Sequence, residues 1–279
     1  QRQFCIRDSY NDAIETDYDA LLSEPSIDAI YNPLPNHLHV PYSIQALKLG
    51  KHVLCEKPVA LNMKELKELE SAAASSESFF YEAYMVRSHP QWAWLKELDI
   101  GEHQSSHFIF SYPDQPKGNI RNRKVDGGGP LYDIGCYAIL SGCMLFTGIP
   151  KVLSATAIMS DHYDIEKQVD ATLQWPNGQT LSFTVSGNAA LCQALTVLGS
   201  SGWAKLSVPV NPPEVTQAYW ANGGLQEGTK VSFPPCNQYK LMIDDFVSLA
   251  ESKSKSDFLI SQIVTKAINE IQQKAGLII

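Results

Sequence analysis

Apolar residues along this chain gather in short runs that stop abruptly at prolines, glycines or charged groups. The sharpest stop is His52-Val53-Leu54-Cys55, which gives way at once to Glu56, Lys57 and Pro58. Open α/β sheets place their chemistry where a buried strand delivers charge at its carboxyl end, so Lys57 is a first catalytic candidate. The same residues also suit a plain Glu56–Lys57 ion pair at a strand edge. Upstream, Ile27-Asp28-Ala29-Ile30-Tyr31 runs into Asn32-Pro33-Leu34-Pro35-Asn36-His37-Leu38-His39. Two prolines stop that strand, Asn36 is placed to cap a helix over Val40 to Leu49, and Gly50 closes it. Strand, crossover helix and strand in this order form a right-handed unit of a parallel sheet.

Apolar spacing through Leu66, Leu69, Ala72 and Ala73 predicts a helix from Asn62 to about Ser76, with Asn62 and Glu65 in a capping-box pattern. Ser78 to Val86 reads as an aromatic-rich strand that completes the remnant of a doubly wound sheet. A new helix is expected from Gln91, after Pro90, and the domain boundary falls between Arg87 and Pro90, dividing the chain into 1–88 and 89–279. Strand-like runs follow at 106–112, 152–159, 171–175, 180–185 and 196–198, with Asn177-Gly178 as a hairpin signal. Strands succeeding one another through turns imply an antiparallel or mixed sheet. A long helix should run from Leu131 to Phe146, two more after Cys236 and Phe258, and 209–228 reads as an ordered loop. The fold class is therefore α/β: a partial parallel-sheet domain, then an α+β domain with a mostly antiparallel open sheet. Such a sheet, with helices on one side, must bury or solvate the other, and a two-fold homo-oligomer through that face is expected.

Composition changes this picture little. The 279 residues are 44% hydrophobic and 19% charged, ordinary for two modest globular domains. A net charge of −8 argues against a broad nucleic-acid surface, and no apolar run approaches a transmembrane helix. Six scattered cysteines form no Cys-x-x-Cys pair, which suits reduced thiols in the cytoplasm. Cys55 and Cys136 read as small buried hydrophobes.

Three motifs carry the chemistry: Leu-Pro-Asn-His-Leu-His at 34–39, Gly-Lys-His-Val-Leu-Cys-Glu-Lys-Pro at 50–58, and Gly-Gly-Gly-Pro-Leu-Tyr-Asp-Ile-Gly-Cys-Tyr at 127–137. In this order they resemble the glucose-fructose oxidoreductase / inositol dehydrogenase (Gfo/Idh/MocA) family. Ending the last motif on Tyr137 is similar to the dihydrodiol and xylose dehydrogenase branch, where inositol dehydrogenases carry histidine. The resemblance implies a Rossmann-like first domain, NAD or NADP as cofactor, and a sugar, polyol or related cyclic alcohol as substrate. It implies Tyr137 as general acid/base and Lys57 as the group holding substrate oxygen and nicotinamide together. Pro35, Asn36 and His39 would line the nicotinamide and ribose side of the cleft, with Glu56 and Pro58 on the other wall. No Gly-x-Gly-x-x-Gly occurs, so either the chain begins inside the first domain or the protein lacks that half, and NAD versus NADP preference is unreadable.

The residues themselves leave alternatives. A nearby ammonium favours the phenolate form of a tyrosine, which makes Lys57 and Tyr137 a pair, yet Tyr137 also suits a core position with its hydroxyl on a carbonyl. Asp133 lies four residues earlier on the same helical face, either for substrate hydroxyls or as a first-turn helix charge. Arg121 offers a fork for substrate oxygens or is a solvated loop residue, Asn119 is a weaker neighbour, and Arg87 faces the cofactor cleft or makes a structural salt bridge. His37 and His39 without a third ligand are poor support for a metal. Two further functions compete: a non-redox sugar-sensing or partner-binding module, and transient cofactor use in elimination or epimerisation.

Overall fold

Among the described residues, three parallel strands and eight mixed ones form two sheets that meet near Lys57. The structure, a computed structural model, describes residues 17–224 and 228–278. In the first sheet β1 (Ala29–Asn32), β2 (His52–Cys55) and β3 (Phe80–Glu82) lie in the order β1-β2-β3. Val53, Leu54 and Cys55 are all buried, as a central parallel strand covered on both faces requires. Helix α1 (Tyr18–Ser23) is capped by Asp17, α2 (Asn36–Lys48) crosses from β1 to β2, and α3 (Met63–Ala74) from β2 to β3. Leu22, Leu47, Leu66, Leu69 and Phe80 pack with Val53 into one apolar cluster.

The expected cap of α2 is corrected. Pro35 takes the N-cap position and Asn36 is the first helical residue, because its side chain is used elsewhere, donating to the Gly127 carbonyl at 2.8 Å. Gly50 does close the helix, at φ +75°. The Asn62 side chain accepts from the Lys64 and Glu65 amides, while Glu65 reaches back to the Leu61 amide. The strand expected over 78–86 ends at Glu82, and Met85–Ser88 forms a 3₁₀ turn that leads into α4 (Pro90–Glu97).

The second sheet runs β11-β10-β9-β8-β4-β7-β6-β5. Its strands are β4 (His103–Ser111), β5 (Lys151–Met159), β6 (Glu166–Gln174), β7 (Thr180–Ser186), β8 (Cys192–Gly199), β9 (Trp203–Leu206), β10 (Gln217–Ala221) and β11 (Thr229–Ser232). β4 and β7 pair in parallel, and the other neighbours are antiparallel. Phe108, Phe183 and Ala171 stand in register on the buried side, whereas Ile109, Thr184 and Asp170 stand in register on the other. Helices α5 (Cys136–Leu145), α6 (Gln238–Glu251) and α7 (Leu259–Lys274) join the core with α4. The loop expected over 209–228 in fact holds β10, whose alternation is short and flanked by Pro212, Pro213 and glycines; β9 and β11 were likewise too brief to register. The helix expected from Leu131 opens as one π turn (Leu131–Gly135) before α5 begins.

Candidate active site

β2 delivers Lys57 to a cleft of about 920 Å³ between the carboxyl ends of the parallel strands and the second sheet. Tyr31, Leu34, Asn36, Glu56 and Lys57 line it from the first sheet, and Tyr112, Arg121, Asp133 and Tyr137 from the other side. The Lys57 ammonium donates to the Asp133 carbonyl at 2.6 Å and to Asp133 Oδ1 at 3.3 Å. Its Nζ also stands 4.8 Å from the Tyr137 ring centroid, a cation–π distance. The Lys57–Pro58 bond is cis.

Asp133 holds this group together. Its second oxygen accepts from Arg121 Nε at 2.6 Å, so one carboxylate bridges two cations. Burial opposes its ionisation, but Lys57 and Arg121 outweigh burial and hold the carboxyl below its usual range. Each oxygen thereby accepts from one cation, so the role the structure gives Asp133 is a bridge between Lys57 and Arg121. Burial likewise works against the Lys57 charge, yet Tyr137 and Asp133 raise its pKa well above the ordinary lysine value. The ammonium has three protons and Asp133 takes two, so one donor remains for the cleft.

Tyr137 departs from the phenolate expectation. Burial raises its pKa well above the ordinary tyrosine value, and Lys57 only partly opposes this. The ammonium sits over the ring, while the hydroxyl donates to Met85 Sδ at 3.3 Å. Tyr84 meets the same ring edge-on at 5.8 Å. Tyr137 is thus a neutral phenol, a proton donor. Tyr112, beside Asp133, is held protonated by burial and by that carboxylate.

Several other expected residues fall elsewhere. Glu56 does line the cleft, accepting from the Tyr31 hydroxyl at 2.7 Å, and it does not pair with the Lys57 ammonium. His39 borders the cleft but is 1% exposed, with its ring nitrogens 2.9 and 2.7 Å from the carbonyls of Pro58 and Leu34. The ring sits between those two loops, and the neutral imidazole that burial favours donates to one of the two carbonyls. Pro35 and Pro58 do not reach the cleft wall, where Pro33 and Leu34 stand instead, because Pro35 begins α2 and Pro58 is buried. Asn119 accepts from the Arg121 amide and shapes that turn, away from the wall. Arg87 is exposed and lies 5.9 Å over the Tyr81 ring, outside the cleft. Tyr31, Met85 and Tyr112 also line the cleft; Tyr31 and Tyr112 stand at the ends of expected strands, where an uncharged side chain gives no sequence signal of chemistry. Cys55 and Cys136 are buried thiols whose pKa burial raises, Cys136 to about 12, and Cys5 lies outside the described residues. Among the described residues no three His, Cys, Asp or Glu side chains are grouped to hold a metal ion.

An oxidoreductase family with an NAD-binding Rossmann fold matches residues 2–84, and the Gfo/Idh/MocA C-terminal domain matches 92–205. An uncharacterized oxidoreductase of Rhizobium meliloti is 33% identical over 272 residues, 92% of this chain and 80% of that protein. The chain belongs to the Gfo/Idh/MocA family. It is an NAD(P)-dependent oxidoreductase with the two-sheet fold of that family. A D-xylose 1-dehydrogenase (NADP(+)) of Haloferax volcanii is 29% identical over 242 residues, 84% of this chain and 73% of that one. KijD10, a 3-ketoreductase from Actinomadura kijaniata solved with NADP and TDP-benzene, superposes with a TM-score of 0.88 at 25% identity. That match covers 97% of this chain and 85% of KijD10. The residues present fit the nicotinamide end of such a cofactor: Lys57 keeps a spare donor beside a wall formed by Leu34, Asn36 and Glu56. Among the described residues there is no glycine-rich turn of the kind that meets a pyrophosphate.

Proposed function

We propose that this chain interconverts a hydroxyl and a keto group on a sugar, with Tyr137 and Lys57 serving the reacting oxygen. The observation that carries this reading is the pairing of a neutral phenol and a spare ammonium donor on one cleft wall, both supported by Asp133 and Met85. A bound nicotinamide supplies or takes the hydride. Tyr137 gives its proton to the oxygen of a keto carbon as that oxygen gains charge, and takes one back in the reverse direction. Lys57 donates a hydrogen bond to the same oxygen and stabilises its negative charge. Asp133 keeps Lys57 ionised and aimed, and it holds Arg121 by Nε at the cleft wall, where the guanidinium serves further substrate oxygens. Sugar chemistry is favoured because the named relatives include a xylose dehydrogenase and dTDP-sugar 3-reductases.

The domain division at 88/89 and the roles of Pro33, Leu34, Asn36 and Glu56 at the nicotinamide belong to the same proposal. So does a two-fold homo-oligomer through the open face of the second sheet, where Ile109 and Leu198 are 43% and 41% exposed. Among the described residues no helix is long and apolar enough to cross a membrane. The unpaired thiols Cys55, Cys136, Cys143, Cys192 and Cys236 suit a reducing compartment such as the cytoplasm. The test is a screen of aldoses, keto-sugars and nucleotide-linked keto-sugars with NADH and NADPH, read as nicotinamide oxidation or reduction. Turnover on at least one sugar is the expected result. Sugar binding without net turnover on any of them would favour the sensing module instead.

A further inference from the structure

Glu82 ends β3 and is 8% exposed, a buried carboxylate that the chemistry above leaves unused. In the parallel ladder it stands opposite Cys55, two residues before Lys57. There the two strands are tied by main chain, with the Ala83 amide donating to the Cys55 carbonyl at 2.7 Å. Beyond the lysine, the amide of fully buried Val59 donates to Glu82 Oε1 at 2.9 Å. The turn from Cys55 to Val59 is therefore fastened at both ends, to Glu82 at the end of β3 and to Ala83 just after it, with Lys57 at its apex. The second oxygen, Oε2, accepts from the Ser261 hydroxyl of α7 at 2.5 Å. Further along α7, Asn269 donates to the Leu61 carbonyl at 3.1 Å, so the chain after Lys57 is held from the same helix.

We propose that Glu82 is a positioning residue for Lys57: its carboxylate clamps the lysine-bearing turn to β3 and α7 and so sets where the ammonium stands against Asp133 and Tyr137. This rests on the reading of Lys57 given above. Without the Glu82 acceptor a buried amide loses its partner, and the turn is freed at one end. Burial pushes the Glu82 pKa up, while Ser261 and the Val59 amide favour the ionised form that accepts from both. Glutamine preserves the clamp, because its carbonyl accepts from Val59 and its amide donates to the Ser261 oxygen.

The test compares Glu82→Ala, Glu82→Leu and Glu82→Gln, each confirmed folded by thermal melting, with and without Lys57→Ala. The first readout needs no substrate: acetylation of Lys57 by acetic anhydride, measured by peptide mass spectrometry against Lys51, which is held separately by the Glu24 and Ile27 carbonyls. Glu82→Ala should raise relative Lys57 labelling by about tenfold, as expected when a local opening is released, while glutamine stays near the parent. Glu82→Leu fills the same space without an acceptor and decides the matter if alanine does not fold. The second readout is kcat on whichever sugar the screen finds active. Loss of the clamp should cost about 100-fold, the scale of a misplacement of about 1 Å, and should cost nothing further once Lys57 is alanine. Unchanged labelling in a folded variant that lacks the acceptor overturns the proposal, as does a kcat loss that adds in full to that of Lys57→Ala. Should no sugar turn over, the functional reading fails, and labelling alone still decides the clamp.

Discussion

Lys57 and Tyr137 face one cleft as donors, and the difference between them sets the pH behaviour. Both pKa values are raised, so both groups stay protonated through the neutral range. The rate of keto-sugar reduction should therefore be flat across neutrality and fall only above about pH 10, the ordinary tyrosine value. A descending limb near neutrality in the kcat profile would assign the proton to another group. Tyr137→Phe removes that proton and leaves the ring packed against Tyr84, so turnover should drop by about two to four orders of magnitude with cofactor affinity nearly unchanged. Full activity in this variant would make Tyr137 a core residue. Asp133→Asn leaves Lys57 and Arg121 without a bridging anion, so the Lys57 pKa should fall and the limb should move toward neutrality.

At the scale of elements, the π turn and α5 that carry Asp133 and Tyr137 begin beside Glu166. Its Oε1 accepts from the Leu131 amide at 3.0 Å, and a Cβ on Gly129, at φ +102°, would come within 2.4 Å of that oxygen. Glycine is needed there for both reasons. Burial pushes the Glu166 pKa from 4.5 to about 7, opposed by the Leu131 amide. The folded state then holds a proton that the unfolded chain releases, so stability falls as pH rises from about 4.5 to about 7. The shift corresponds to about 3 kcal/mol as an upper scale, and Glu166→Gln should abolish that slope in denaturant unfolding measured across the window. An unchanged slope would place the titration elsewhere. The turn itself was only half legible: the triple glycine and the helix after it stood out, but the Leu131 amide that opens the π turn is bound by Glu166, which lies on β6 and is distant in sequence.

For the whole molecule, the exposed side of the second sheet is the consequential surface. Ile109 lies in register with Thr184 and Asp170 there, and Leu198 opposite Ser105 on the same side. An apolar and hydroxyl-rich face of this kind is suited to a flat two-fold contact. Light scattering should find a dimer or a higher even assembly, and Ile109→Lys should shift it toward monomer while leaving the fold intact. A parent protein that stays monomeric at micromolar concentration would sink that arrangement.

Local sequence was enough to determine where backbone hydrogen bonding starts and stops. Pro33 and Pro35, Gly50, Asn62 and the Asn177-Gly178 turn act on their own neighbours, and the elements they bound formed close to their expected places. The abrupt arrival of charge after β2 likewise marked Lys57, since a buried strand and an ionised side chain meet in sequence only at a strand end. Tertiary structure alone decided what those side chains meet. Asn36 turned from cap to cross-link because Gly127 lies against it, Asp133 became a bridge because Lys57 and Arg121 converge on it, and Tyr137 stays a neutral phenol because burial outweighs the Lys57 charge. Charge state and hydrogen-bond partners depend on groups far apart along the chain, and residue spacing does not encode those distances.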